Sequence, residues 1–200
     1  EGLRLRSGKL IARSACTQMP DMTPQDVYQY DYEDVPEELR NRAERKDLEN
    51  WVKYGCIRRI VTEIPQGGQK LTMAKVEKPK IINGQLDARV RYAPRGFQDR
   101  QRWATRTDSP TVNPDNAQVL EGVSAAEGLA SSTEDVTAAF YQGVETTRQG
   151  ICVEMPYEWI QPAHELGVLT DDQAAAGLSG VKLYIEVAKD VPGLNAGPRG

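Results

Sequence analysis

Lys80-Ile81-Ile82-Asn83-Gly84-Gln85-Leu86 places Asn-Gly between apolar residues. Asn-Gly accepts the positive backbone angles of a two-residue hairpin loop, so the stretch predicts a β-hairpin. Its return arm, Asp87-Ala88-Arg89-Val90-Arg91-Tyr92, alternates charged and apolar side chains with the period of a strand. One face is then apolar and the other carries arginine. An arginine face can lie over a phosphate chain, and it serves equally well to keep an edge hairpin in solution.

Working outward, Asp34-Val35-Pro36-Glu37-Glu38 predicts a helix start, with Asp34 as cap, Pro36 in the first turn and two Glu at the positive end of the dipole. Leu39, Ala43, Leu48, Trp51 and Val52 give it an apolar face, and Gly55 a stop. Residues 56–64 and 71–76 read as strands before the hairpin. After it, Asn113-Pro114-Asp115 opens a helix that carries Ala117, Leu120 and Val123 to Gly128. Residues 151–156 and 181–187 read as strands, and Thr170-Asp171-Asp172-Gln173 caps a short Ala-rich helix. Residues 1–33 are polar, broken by Met-Pro and Thr-Pro, and read as a flexible acidic lead-in. The expectation is an α+β domain over 34–200, a mixed or antiparallel sheet with packed helices.

The 200 residues carry a formal charge of -4, which excludes a wholly basic nucleic-acid binder, but the charge is unevenly spread. Between Asp21 and Glu38 lie seven acidic residues and no Lys or Arg; between Leu86 and Arg106 lie six Arg against Asp87 and Asp99. Such a local basic face can bind phosphate in an acidic chain. Cys16, Cys56 and Cys152 are far apart and lack metal or redox spacing, so they read as ordinary thiols. His164 is the single histidine, which leaves almost no material for Ser-His or Cys-His catalysis. No run approaches a membrane span, and no secretory signal opens the chain.

Glu134-Asp135-Val136-Thr137-Ala138-Ala139-Phe140-Tyr141-Gln142-Gly143 puts a carboxylate at the end of an apolar-leaning run, small residues after it and an aromatic five positions on. The segment resembles D-V-x-x-A-F-L-x-G of the reverse transcriptase of copia-type LTR retrotransposons. Further matches follow in the same order along the chain. They begin with the Trp-bearing helix Glu49-Asn50-Trp51-Val52-Lys53-Tyr54-Gly55. Ala88-Arg89 through Pro94-Arg95-Gly96-Phe97-Gln98 resembles K-A-R-L-V-x-R-G-F-Q, and Thr107-Asp108-Ser109-Pro110-Thr111-Val112 resembles T-x-x-P-V. Ile151-Cys152-Val153-Glu154-Met155-Pro156 resembles I-Y-M-x-x-P. Lys189-Asp190-Val191-Pro192-Gly193-Leu194 through Arg199 resembles K-x-L-Y-G-L-K-Q-A-P-R.

The resemblance implies the fingers and first part of the palm of a right-hand polymerase, an RNA-directed DNA polymerase acting through two Mg²⁺. Asp135 would supply the first metal carboxylate and the Val136 carbonyl a further ligand. The amides near Ala138 and Ala139 would face the triphosphate. Phe140 would exclude a ribose 2′-hydroxyl, and Arg89, Arg91 and Arg95 are candidates to grip the triphosphate. Implied partners are an RNA or DNA template with primer, deoxynucleoside triphosphates and the remainder of a polyprotein, without a membrane. The implied location is intracellular, in a cytoplasmic particle or the nucleus.

The sequence departs from that pattern in several places. Asp87 stands where the family has Lys, one or two extra residues fall between Ala88 and Gly96, and Val191-Pro192-Gly193 replaces L-Y-G. The sequence stops before the family's Tyr-Val-Asp-Asp hairpin, so this chain alone is expected not to polymerise. Two other readings stay open. One is a decayed, non-catalytic relic of the enzyme. The other is a single-strand-binding module built on the arginines with Tyr92, Phe97 and Trp103.

Overall fold

A computed structural model describes residues 2–4, 10–12, 23–102, 114–130, 141–142, 145–146, 148 and 150–194. It is a mixed α+β structure. Strands β1 (Gly2–Arg4) and β2 (Leu10–Ala12) pair antiparallel. 3₁₀ segments at Pro24–Gln29 and Tyr32–Asp34 lead to helix α1 (Glu37–Lys53). Pro36, not Asp34, is the N-cap of α1. Asp34 is committed one turn earlier, where its carboxylate accepts the amide of Asp31 at 2.7 Å. The expected stop at Gly55 is met: with φ at 65°, Gly55 donates to Val52 O and Cys56 to Trp51 O, satisfying the last carbonyls of the helix.

Strands β3 (Ile57–Val61), β4 (Gln69–Leu71), β7 (Ile151–Glu154) and β8 (Tyr184–Val187) form one sheet in the order β3-β8-β7-β4. The first two pairings are antiparallel and β7-β4 is parallel. Strand β3 is shorter than residues 56–64 suggested, because it pairs only along β8. Helices α2 (Pro114–Ala126), α3 (Ile160–Glu165) and α4 (Asp171–Leu178) complete the regular structure. Thr170 caps α4 through a capping box with Gln173, as its sequence predicts. Helix α3 escapes the sequence reading, because a six-residue helix shows too little of its period to read. Leu120 and Val123 of α2 are exposed, and residues 103–113 and 131–140 on either side of that helix lie outside the described set.

The predicted hairpin is present and long. Strand β5 (Met73–Ile82) pairs with β6 (Gln85–Pro94) from Ile82↔Gln85 to Met73↔Pro94, closed by Asn83 and Gly84 at φ 50° and 74°. Pro79 sits inside β5 without breaking the ladder. Tyr92 donates its amide outward, away from β5, so Lys75↔Tyr92 is a non-hydrogen-bonded pair, and by alternation so is Pro79↔Ala88. At that position the missing N–H of proline costs no ladder bond.

The core joins these pieces through α1. Leu48 and Trp51 are fully buried with Leu71, Val153, Ile185, Trp159 and Ala163. Trp159 meets Trp51 and Tyr92 edge-on at 5.6 and 4.9 Å between ring centroids, contacts worth roughly 0.5–1.5 kcal/mol each beyond area burial. Leu39 and Ala43, toward the N-terminus of α1, pack with Val35, Leu86 and Ala88 at the far end of the hairpin. One helix thus touches both the sheet core and the hairpin.

Close backbone approaches fix where loops return. Gly193, at φ 99°, accepts the amide of Gly96 on its carbonyl at 3.0 Å, and a side chain there would collide with the carbonyl oxygen of Pro94. Gly193→Ala is expected to cost about 2–3 kcal/mol and lower the melting temperature by roughly 5–10 °C. Gly167→Ala, at φ 70° with open space around it, is expected to cost about 1 kcal/mol. Thermal denaturation of the two variants beside the parent checks the difference.

Candidate phosphate site and its anchors

Arg89 and Arg91 come from the outward face of β6 and line a cavity of about 220 Å³ between that strand and α1. Lys46, Asp47 and Asn50 of α1, Lys80 of β5 and Tyr141 complete most of its wall. Arg89, Arg91 and Lys46 have no ion-pair partner among the described residues. Arg95 is exposed beyond the end of β6, its amide bonded to Thr72 O, and it does not join them.

The floor is a buried carboxylate. Asp47 Oδ2 accepts the amide of Tyr92 and Oδ1 the hydroxyl of Tyr141, each at 2.8 Å. Burial raises the Asp47 carboxyl above the ordinary range, while those two hydrogen bonds and the nearby Arg91 oppose the shift. Burial also raises the Tyr141 phenol, reinforced by Asp47. The ring of Tyr141 stacks on Tyr54 and meets Trp51 edge-on, and Cys56 Sγ reaches Tyr141 O at 3.9 Å. Burial pushes the Cys56 thiol up to about 11 and raises Cys152, so these two, the cysteines among the described residues, are packing thiols. His164 Nε2 lies 2.7 Å from Asp171 Oδ1, on the surface.

A second polar cluster ties three distant segments. Asp99, fully buried at its side chain, accepts from Gln69 Nε2, the amide of Gln101 and Arg148 Nη1. Arg148 Nη2 bonds Asp190. Burial alone would raise the Asp99 carboxyl, but the hydrogen bonds from Gln69, Gln101 and Arg148 outweigh it and hold it below the ordinary range. Gln98 accepts from the Thr72 amide and hydroxyl. Together with the Gly96–Gly193 contact, these bonds bring the Arg95–Asp99 segment against Lys189–Leu194 and β4.

Asp135, Val136, Ala138, Ala139 and Phe140 lie outside the described residues, as do Trp103 and Cys16. Tyr92 is buried against Trp159, which removes it as a base-stacking surface; Phe97 is 64% exposed. Among the described residues no group of three or more His, Cys, Asp or Glu side chains is placed to hold a metal ion, and no helix is long and apolar enough to cross a membrane. Lys46, Asp47, Asn50 and Lys80 escaped the sequence reading. Counting three residues back and forward from Asn83-Gly84 would have set Lys80 opposite Asp87, so that one signal was present. No protein-family model, curated protein or solved structure matches the chain.

Asp47→Ala strands the Tyr92 amide and the Tyr141 hydroxyl and is expected to cost about 3 kcal/mol; Asp47→Asn, able to accept one bond and donate the other, costs less. The raised carboxyl also sets a pH slope. Its contribution is most favourable below the ordinary carboxylate range and declines as pH rises through that range to the folded value. Denaturant unfolding from pH 4 to 7 should show this decline in the parent and lack it in Asp47→Asn. Arg148→Met, which leaves Asp99 buried without its cation, is expected to lose about 3 kcal/mol in the same measurement at pH 7.

Proposed function

We propose that this chain is the fingers and first part of the palm of a copia-type reverse transcriptase, a template-directed DNA polymerase. The observation that carries the reading is the collinear order of the motifs from Trp51 to Arg199. Spatial proximity adds support. The Arg95–Asp99 and Lys189–Leu194 segments, far apart in sequence, meet through Gly96, Gly193 and the Asp99–Arg148–Asp190 bridge. Tyr141, the residue after Phe140 in sequence, lines the cavity that Arg89 and Arg91 also line.

Phosphoryl transfer needs reactants held in place and charge neutralised more than it needs covalent help. In this reading the described residues act on the phosphates. The guanidinium forks of Arg89 and Arg91 present paired donors to phosphate oxygens from a rigid two-stranded ribbon. Asp47 keeps that ribbon's edge on α1. The Mg²⁺ ions that such chemistry uses would take the Asp135 carboxylate and the Val136 carbonyl; when bound, they would activate the primer hydroxyl and neutralise the leaving group. Phe140 would then be the residue that rejects a ribose.

Anisotropy of a labelled primer–template with a recessed 3′ end tests the reading. Binding should weaken with salt, with a log–log slope near 0.9 per phosphate neutralised; if Arg91→Ala with Arg95→Ala leaves affinity and slope unchanged, the single-strand-binding alternative falls. Fe²⁺ in place of Mg²⁺, with ascorbate and peroxide, should cut the polypeptide near Asp135 when primer–template and a deoxynucleotide are present, and Asp135→Ala should abolish the cut. Absence of primer–template binding, or cutting that ignores Asp135→Ala, overturns the proposal.

A further inference from the structure

A second cavity, of about 360 Å³, opens where the start of β5 and Tyr92 of β6 meet the chain that leaves β7. Met73, Met155 and Pro156 give it apolar walls. The 3₁₀ turn Tyr157–Trp159 adds the side chains of Tyr157 and Glu158, both exposed to solvent. Arg89, Arg91 and Asp47 take no part in it.

Three charged side chains line this cavity, and two of them are matched. Lys75 Nζ lies 2.7 Å from Glu44 Oε1 and 2.6 Å from Glu77 Oε1, so two carboxylates share one ammonium. Glu154 bonds Lys70 at 2.7 Å and Lys182 at 2.8 Å, and the bonds from Lys182 and Lys70 hold its carboxyl below the ordinary range. Those two lysines stand outside the cavity wall. Glu158 has no ion pair or hydrogen bond among the described residues. Burial raises the Tyr92 phenol, and Glu158, Glu44 and Glu77 raise it further against the single opposing charge of Lys75. The field at Tyr92 is therefore negative in spite of the lysine, because three carboxylates face one ammonium.

The Tyr92 hydroxyl is the second unanswered group. Tyr92 is 3% exposed, and its hydroxyl oxygen is buried without a hydrogen-bond partner among the described residues. Buried polar groups in folded proteins are rarely left so, and a bound molecule that reaches this one supplies the missing bond. Kept protonated by its surroundings, the hydroxyl still has lone pairs that accept an N–H.

We propose that this cavity binds a small organic cation, an ammonium or guanidinium group carried on an apolar body. The Glu158 carboxylate and the Tyr92 hydroxyl accept its N–H groups, and the exposed Tyr157 ring offers a cation–π face. The body of the ligand packs on Met73, Met155 and Pro156; methionine's flexible, polarisable side chain accommodates alkyl and aromatic shapes alike. A neutral analogue leaves Glu158 unanswered, and an anionic one is repelled by it. The inference is independent of the polymerase reading.

Nuclear magnetic resonance titration of the full chain with phenethylammonium, phenethyl alcohol and phenylacetate tests the site with one body and three charges. Phenethylammonium should bind at least tenfold more tightly than the alcohol, and phenylacetate more weakly than either. Glu158→Gln should bring the amine down to the affinity of the alcohol, whereas Glu38→Gln, exposed on the first turn of α1, should change nothing. Tyr92→Phe should weaken the amine severalfold without lowering the melting temperature, since the hydroxyl it removes has no protein partner to lose. Equal affinity for the three compounds, no binding of the amine, or amine binding untouched by Glu158→Gln or by Tyr92→Phe overturns the proposal. Primer–template anisotropy on the same variants should match the parent, so failure here leaves the polymerase reading standing.

Discussion

The carboxylate of Asp47 is the constraint on which the arrangement depends. It is buried on α1 and takes one hydrogen bond from the hairpin edge and one from Tyr141, groups that are 45 and 94 positions away in the chain. A carboxylate in such a place is costly unless both oxygens are satisfied, so helix, ribbon and the chain at Tyr141 have little freedom to part. The aromatic rings of Trp51, Tyr92, Trp159, Tyr54 and Tyr141 then close over it. A polar anchor sets the geometry here, and apolar packing supplies most of the stabilisation.

From that anchor the two faces of β6 divide the labour. Leu86, Ala88, Val90 and Tyr92 are buried, while Asp87, Arg89 and Arg91 face outward in alternation. A shift of one residue in the hairpin would exchange the two sets, placing arginines in the core. The Asn83-Gly84 loop and the Tyr92–Asp47 bond hold the register from opposite ends. Arg89 and Arg91 are therefore positioned by the same bonds that hold the fold.

Much of this was legible in residues alone. Asn83-Gly84 marked the loop, the alternation from Asp87 to Tyr92 marked the faces, Gly55 marked the helix end and Thr170 the start of α4. The contribution of Asp34 was misread because a capping residue is recognised by its neighbours, and its carboxylate had a nearer claimant in Asp31. The candidate site was half legible. Arg89 and Arg91 stand out in a local sequence pattern, whereas Lys46, Asp47 and Asn50 look like the ordinary polar face of a charged helix until the hairpin is laid against them. Tyr92 resembled a stacking ring because sequence shows an aromatic beside arginines and not which way it points. No local pattern announces an Asp99–Arg148–Asp190 bridge, since its partners come from three separate segments.

The parallel pairing of β4 with β7 bears on how such a chain assembles. It joins Gln69–Leu71 to Ile151–Val153 across about eighty intervening residues, with Gly68 and Gly150 passing too close for any side chain between them. Closing a loop of that length carries an entropic cost that only the finished sheet repays. Helix α1 and the β5–β6 ribbon, by contrast, are neighbours in sequence and can meet early around Asp47. Assembly is then hierarchical: a helix-and-ribbon kernel forms while β4 is still an unpaired strand. Until β7 arrives that lone strand can pair with a second chain, and the crowded pair of glycines narrows which strand can seat beside it.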